Sequence, residues 1–277
     1  MKLIVAVSGG VDSVVLLDML SRAGDYEMIV AHFDHGIRDD SAEDARFVEK
    51  LAEKYGCVFE MRREELGKTA SEELARNRRY AFLRALATQY DARIATAHHM
   101  DDIAETIAIN ITRGTGWRGL AVLASDVYRP LLGRTKAELI AYAEEHGLAW
   151  REDSTNSSDA YLRNRLRAKL MDDDMTLQLA SLRARQVELR DQIDAAVVAL
   201  QFQSPYSRYY FMMLPPRVAL ECLRHITSGQ ATRPQLERAR LAIATHRNGS
   251  QYEVGAGISL DFTSRHFTVQ MVKLNEV

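Results

Sequence analysis

Residues 2–13 read Lys-Leu-Ile-Val-Ala-Val-Ser-Gly-Gly-Val-Asp-Ser. The unbroken apolar run, without polar alternation, is the pattern of a strand buried on both faces, as in a parallel sheet covered by helices. Asp12–Met19 continues with helical spacing, so Ser8–Ser13 is the turn from strand to helix. Adjacent glycines let backbone amides approach an anion closely, and the helix start behind them favours negative charge. There is no Gly-Lys-Ser/Thr ending and no Gly-x-Gly-x-x-Gly spacing, which excludes a Walker loop and a dinucleotide fingerprint. Ser8, Gly9, Gly10, Val11, Asp12 and Ser13 are therefore expected to hold a polyphosphate. Asp12 would repel that ligand unless it orders a magnesium ion or a cationic substrate group.

The same alternation continues along the chain. Apolar stretches at Glu27–Phe33, Cys57–Met61 and Arg93–Ala97 alternate with helical patterns at Ser41–Tyr55, Ser71–Tyr90 and Asp101–Thr112. Such spacing predicts βαβ units and a parallel sheet, with ligands at the carboxyl ends of the strands. Tyr128-Arg129-Pro130 is expected as a short final strand, before a helix over Thr135–His146 and another helical stretch at Tyr161–Leu170. Met175–Leu200 contains no Gly or Pro and reads as one long helix. Beyond it lie helical patterns at Pro215–Ile226 and Pro234–Thr245, and strand-like runs near Gln251–Val254, Ile258–Phe262 and His266–Val272. The expected organisation is a catalytic α/β domain over 1–172, a linker helix over 173–203 and a small α+β domain over 204–277.

At 277 residues with 47% hydrophobic side chains, the chain has the composition of a folded globular protein, not a disordered or fibrous one. Its longest apolar run, Ala195–Leu200, falls far short of the ~20 residues a bilayer span needs, so no membrane association is expected. Two cysteines, Cys57 and Cys222, cannot build a disulfide framework or a zinc ribbon. With no basic-then-apolar leader, a cytoplasmic location is expected. Arginine outnumbers lysine 29 to 7. Its planar fork suits phosphate and base recognition, although a compositional bias of the genome gives the same ratio.

Two further stretches carry chemistry. Ala97–Thr106 (AHHMDDIAET) opens the helix after the fourth strand, and there Asp102 and Glu105 share a face, as do Asp101 and Glu105. Paired carboxylates suit a magnesium ion, or an ammonium group that must be held and then deprotonated. His98 and His99 lack the third soft ligand that zinc would want. Arginines recur in Ser71–Tyr80 (SEELARNRRY), where Arg76 and Arg79 share a face, and in Tyr161–Arg167 (YLRNRLR). Arg113–Leu120 (RGTGWRGL) reads as a glycine-rich loop presenting one exposed aromatic, Trp117, as a stacking surface. His32–Arg38 (HFDHGIR) follows the second strand, where an adenine could rest against the strand edge.

The loop Ser8–Ser13 resembles that of the N-type ATP pyrophosphatases, which cleave ATP between its α and β phosphates and adenylate an oxygen of the substrate. The ordered set SGGVDS, HFDHGIR, SEELARNRRY, ATAHHMDDIAET, RGTGWRGL, RPLL and EDSTN…YLRNRLR, within residues 3–170, resembles the tRNA(Ile)-lysidine synthetases. That likeness implies a Rossmann-like N-type ATP pyrophosphatase domain using ATP and magnesium. It also implies a reaction in which carbon 2 of the wobble cytidine of a CAU-anticodon tRNA(Ile) is activated by adenylation. The ε-amine of free L-lysine then displaces AMP. Ser8–Ser13 would hold ATP, with Asp12 toward the magnesium. Asp102 and Glu105 would grip the lysine ammonium, with Asp102 as base. Arg163 or Arg165 would contact the substrates or the intermediate. Arg76, Arg79, Arg113 and Trp117 would face the tRNA. Three other readings compete: a thiolating tRNA enzyme, which would need reactive cysteines; a small-molecule amidating ligase; and a tRNA-binding protein on an inactive nucleotide fold.

Overall fold

The computed structural model describes residues 1–36, 41–67, 71–151 and 173–271. Four strands, β1 (Lys2–Ala6), β2 (Glu27–Asp34), β3 (Val58–Arg63) and β4 (Arg93–Ala95), form a parallel sheet in the order β3-β2-β1-β4. β1 is interior to it, pairing with β2 on one side (Ile4 opposite Ile29) and β4 on the other (Ile4 opposite Ile94). Leu3, Ile4 and Val5 are wholly buried, which is why the run is continuous and not alternating.

Helices cover both faces. Leu3, Val5 and Val7 pack with α1 (Val11–Ala23), α2 (Ser41–Lys54) and α5 (Lys136–Glu145), through Val14, Leu17, Val48, Leu139 and Ala143. Ile4, Ile29 and Ala31 pack on the opposite face with Phe82, Leu83 and Leu86 of α3 (Glu72–Tyr90). α4 (Met100–Thr112) follows β4 and closes a smaller cluster in which Ile103 and Ile107 meet Val122, Leu179 and Ala180. The sheet's carboxyl edge therefore carries the starts of α1 and α4.

Tyr128 does pair with Ala95 in parallel, but only as an isolated bridge and not as the expected strand. Pro130 has no amide to extend a ladder, and its fixed φ instead begins a 3₁₀ turn, Pro130–Gly133.

The described residues group into two compact units, 1–187 and 188–277. The long helix α6 (Asp173–Val198) contributes Leu179 and Ala180 to the first and Ile193 and Val197 to the core of the second. In the second unit, β5 (Tyr206–Ser207), β6 (Gln251–Gly255), β7 (Ile258–Phe262) and β8 (His266–Met271) form an antiparallel sheet in the order β5-β8-β7-β6. α7 (Arg208–Met213), α8 (Pro216–Ile226) and α9 (Arg233–Thr245) complete it around Phe211, Leu223, Leu236, Leu260 and Phe267. The short β5 and α7 have no counterpart among the elements expected from the sequence. Among the described residues no helix is long and apolar enough to cross a membrane.

One buried polar joint fixes α5 against α1. The Asp18 carboxylate, 4% exposed, accepts hydrogen bonds from Arg22 Nε (2.7 Å), Tyr55 Oη (2.8 Å) and Tyr142 Oη (2.7 Å). Burial alone would raise its pKa, but the bonds from Arg22, Tyr142 and Tyr55 together lower it. A carboxyl with a depressed folded value contributes stability above its unfolded pKa of ~3.9, which is lost as pH falls through the folded value. The denaturant midpoint of the native protein should therefore fall more steeply below about pH 4 than that of Asp18→Asn, which has no such proton to bind. Parallel acid profiles would show that the joint contributes nothing.

Candidate active site

At the end of β1 the chain turns through Ser8, Gly9 and Gly10 into α1. Ser13, buried in the first turn of that helix, holds the turn. Its Oγ accepts from the amides of Ser8 and Gly9 (3.2 Å each) and donates to the Gly10 carbonyl (2.9 Å). Gly9 has φ +95°, the left-handed region that side chains rarely adopt. Gly10 has an ordinary φ of −72°, and a Cβ there would meet only Ser8 Oγ, at 3.7 Å. Neither backbone geometry nor packing requires glycine at position 10, and the space its side chain would fill lies over the start of α1. The amides of Val11 and Asp12 have no intrahelical acceptor. Val11 contributes only that amide, because its side chain lies in the core. The turn is closed from the other side by the Arg151 amide, which donates to the Gly9 carbonyl at 3.0 Å.

Asp12 is not left to repel an anion. Lys136 Nζ, at the first position of α5, contacts both its oxygens at 2.7 and 2.8 Å. The Lys136 amide donates to Asp101 Oδ2 at 2.9 Å, and the Met100 amide donates to the Arg134 carbonyl at 2.8 Å. The starts of α1, α4 and α5 are thus tied together. His99, 3% exposed, sits at their centre, with its ring 3.2 Å from Asp101, 3.6 Å from Asp102 and 3.7 Å from Asp12. Burial works against a charge on this imidazole, yet the bond to Asp101 and the fields of Asp102 and Asp12 outweigh it and raise its pKa. Asp101 is lowered in return: burial opposes its charge, and the bonds from His99 and the Lys136 amide prevail. Among the described residues no group of three or more His, Cys, Asp or Glu is placed to hold a metal ion.

Beyond His99 lies a cavity of about 300 Å³ lined by Arg76 and Arg79 of α3, Asp102, Glu105 and Thr106 of α4, and His35, Ala75, His98 and Leu123. Asp102 also accepts from the His99 amide at 2.9 Å, capping α4. Glu105 is buried. The Arg76 and Arg79 guanidiniums lie over the Tyr80 ring at 5.2 and 5.7 Å. His98 is pushed down to about 3, first by burial and then by the cations of Arg129, Arg79 and Arg76. It stands neutral in this wall, bonded to Thr96 Oγ1 at 2.8 Å. The cavity therefore has an acidic side and a basic side.

The structure brings Asp102, Glu105, Arg76 and Arg79 to one cavity, and Ser8–Ser13 to within one side chain, His99, of it. Arg113 and Trp117 are elsewhere: they follow the far end of α4, roughly 16 Å along the helix from Asp102 at 1.5 Å per residue. The glycine-rich loop is not a display of an exposed aromatic. Trp117 is half-buried in a 3₁₀ turn, Trp117–Leu120, and the Arg118 guanidinium covers one face of its ring at 4.8 Å. Asn110 folds that loop back by donating to the Gly119 carbonyl. Arg163 and Arg165 lie outside the described residues. Sequence reasoning missed Lys136, although a lysine in the first turn of a helix opposes the macrodipole and so hints at a nearby counter-charge.

Residues 1–174 match the family model described as PP-loop domain (ATP_bind_3). The chain is 44% identical over 173 residues to the tRNA(Ile)-lysidine synthase of Thermus thermophilus, covering 60% of this chain and 34% of that protein. It is 40% identical over 185 residues to that of Geobacter sulfurreducens, covering 61% of this chain and 39% of the relative. The chain thus spans well under half the length of these curated relatives. Among solved structures, the U34-tRNA thiolase NcsA from Methanococcus maripaludis aligns with a TM-score of 0.54 at 19% identity, over 68% of this chain and 72% of that one. That likeness is one of fold.

The two glycines should respond differently to substitution. Gly9→Val forces a branched residue into the left-handed region and should cost about 1–3 kcal/mol of stability. Gly10→Val should cost only about 1 kcal/mol, as the loss of a favourable cap residue, while abolishing ATP binding. Thermal unfolding and ATP titration of both variants check this. Undiminished ATP affinity in Gly10→Val would contradict the reading of the loop.

Proposed function

The chain belongs to the PP-loop domain family, and from that footing we propose that it is a tRNA-modifying ligase. In this reading it uses ATP to join free L-lysine to carbon 2 of the wobble cytidine of a tRNA(Ile) with a CAU anticodon, giving lysidine, AMP and pyrophosphate. The observation that carries the proposal is the cavity with Asp102 and Glu105 on one side and Arg76 and Arg79 on the other, joined through His99 to the phosphate turn.

The residues divide the chemistry. Ser8, Gly9, Gly10 and the amides at the start of α1 bind the polyphosphate. Magnesium would supply charge neutralisation on the phosphates. The fit is with Asp12, a hard oxygen donor at the turn, which would share its carboxylate between the ion and Lys136. The cytosine oxygen on carbon 2 attacks the α phosphorus, and pyrophosphate leaves with the bonding pair. Lysine then enters as an ammonium, with a free pKa of ~10.4, and must lose a proton before its nitrogen can attack carbon 2 and expel AMP. Asp102 and Glu105 hold that ammonium, and Asp102 takes the proton. Arg76 and Arg79 hold the nucleotide or phosphate side, Arg163 or Arg165 contacts the intermediate, and Arg113 and Trp117 meet tRNA outside the cavity. Residues 1–172 act as the catalytic domain, 173–203 as its linker helix and 204–277 as a tRNA-contacting domain, where exposed Arg217, Arg238, Arg247 and Tyr209 suit an RNA backbone.

Thiolation is a poorer reading. Burial raises the Cys57 thiol, and burial together with Glu221 pushes the Cys222 thiol up to about 11, so neither offers a thiolate. This reading carries a cytoplasmic location, which two free cysteines suit.

Asp102→Asn is a clean test, because its amide oxygen still accepts the capping bond from His99 while the base is lost. It should reduce incorporation of labelled lysine into a CAU tRNA(Ile) transcript by about 10²–10⁴-fold, with ATP affinity unchanged. Near-normal incorporation would remove Asp102 from the mechanism.

A further inference from the structure

The Asp12–Lys136 ion pair does more than join two helices. A carboxylate at the mouth of a polyphosphate turn is a liability, and the fold answers it with a cation delivered from 124 residues away in sequence. Lys136 Nζ spends two contacts on the two Asp12 oxygens, while an ammonium has three protons to give. Its side chain is 38% exposed, so the third donor is open to a ligand. Its backbone is fixed independently, through the bond of its amide to Asp101. A lysine at the first position of a helix also works against that helix's own dipole, a placement that packing does not explain.

We infer that Lys136 is the pyrophosphate-side cation of the site: its ammonium contacts the β phosphate of bound ATP and remains on the pyrophosphate as it leaves. This rests on the assignment of Ser8–Ser13 as the polyphosphate turn. In the adenylation step the bond from the α phosphorus to the bridging oxygen breaks, its electron pair goes to pyrophosphate, and the substrate oxygen takes its place on phosphorus. Lys136 takes no part in the proton transfer and balances the charge that builds on the leaving group, while the carboxylates of the cavity act later, on the amine.

The test is equilibrium binding of inorganic pyrophosphate and, separately, of adenosine to the full chain, to Lys136→Met and to Lys136→Arg. Loss of a charge-assisted contact should weaken pyrophosphate binding by about tenfold or more in Lys136→Met. Adenosine affinity should be unchanged, because the lysine is on the phosphate side. Lys136→Arg, which keeps the charge, should recover much of the loss. Equal pyrophosphate affinity in the native protein and Lys136→Met would overturn the inference and leave the turn intact. So would a parallel loss of adenosine binding, since that marks a structural prop. Absence of pyrophosphate binding by the native protein would overturn the turn assignment and this inference together.

Discussion

Helices α1, α4 and α5 begin within hydrogen-bonding reach of one another, and their positive ends would repel if nothing lay between them. What lies between them is a chain of charges: Lys136 on Asp12, Asp12 beside His99, His99 beside Asp101 and Asp102, and Asp101 on the Lys136 amide. The carboxylates satisfy the helix starts, and the lysine and imidazole satisfy the carboxylates. Removing one member leaves a charge without its partner beside the buried His99, in a partly buried setting, which is costly. The cluster also gives the site its working geometry, because the turn after β1 and the wall of the cavity meet at His99.

In the proposed reaction, that arrangement would separate two demands. Activation would need positive potential around a polyphosphate, which in the proposed reading the amides, a helix start and Lys136 would supply. Amine attack would need negative potential to hold an ammonium and accept its proton, which in the proposed reading Asp102 and Glu105 would supply a short distance away. Arg76 and Arg79 line the same cavity as those carboxylates, so in the proposed reading a substrate held by the arginines would come within reach of the acids. The low pKa of His98, set by burial and by Arg129, Arg79 and Arg76, keeps a third positive charge out of this wall.

Much of the fold was legible in the residues. The buried run Leu3–Val7 specified a central strand because only such a strand tolerates apolar side chains on both faces. Asp102 and Glu105 were readable because helical spacing dictates who shares a face. Contacts between distant elements were not legible: nothing local to Lys136 names Asp12 as its partner, and nothing local to His35 places it on the cavity with Arg79. Gly116 and Gly119 suggested an open loop around Trp117, whereas its ring is half-buried, with the Arg118 guanidinium over one face and Asn110 folding the loop back. The strand expected at Tyr128–Pro130 stopped at a single bridge because proline cannot extend a ladder.

The most direct test of the central claim follows pyrophosphate release from magnesium-ATP and lysine over time, with and without a tRNA(Ile) transcript bearing CAU. The proposed ligase should give a burst that requires the transcript, with one lysine entering the RNA for each pyrophosphate released. Release driven by a small acceptor without RNA, or no release under either condition, would contradict it.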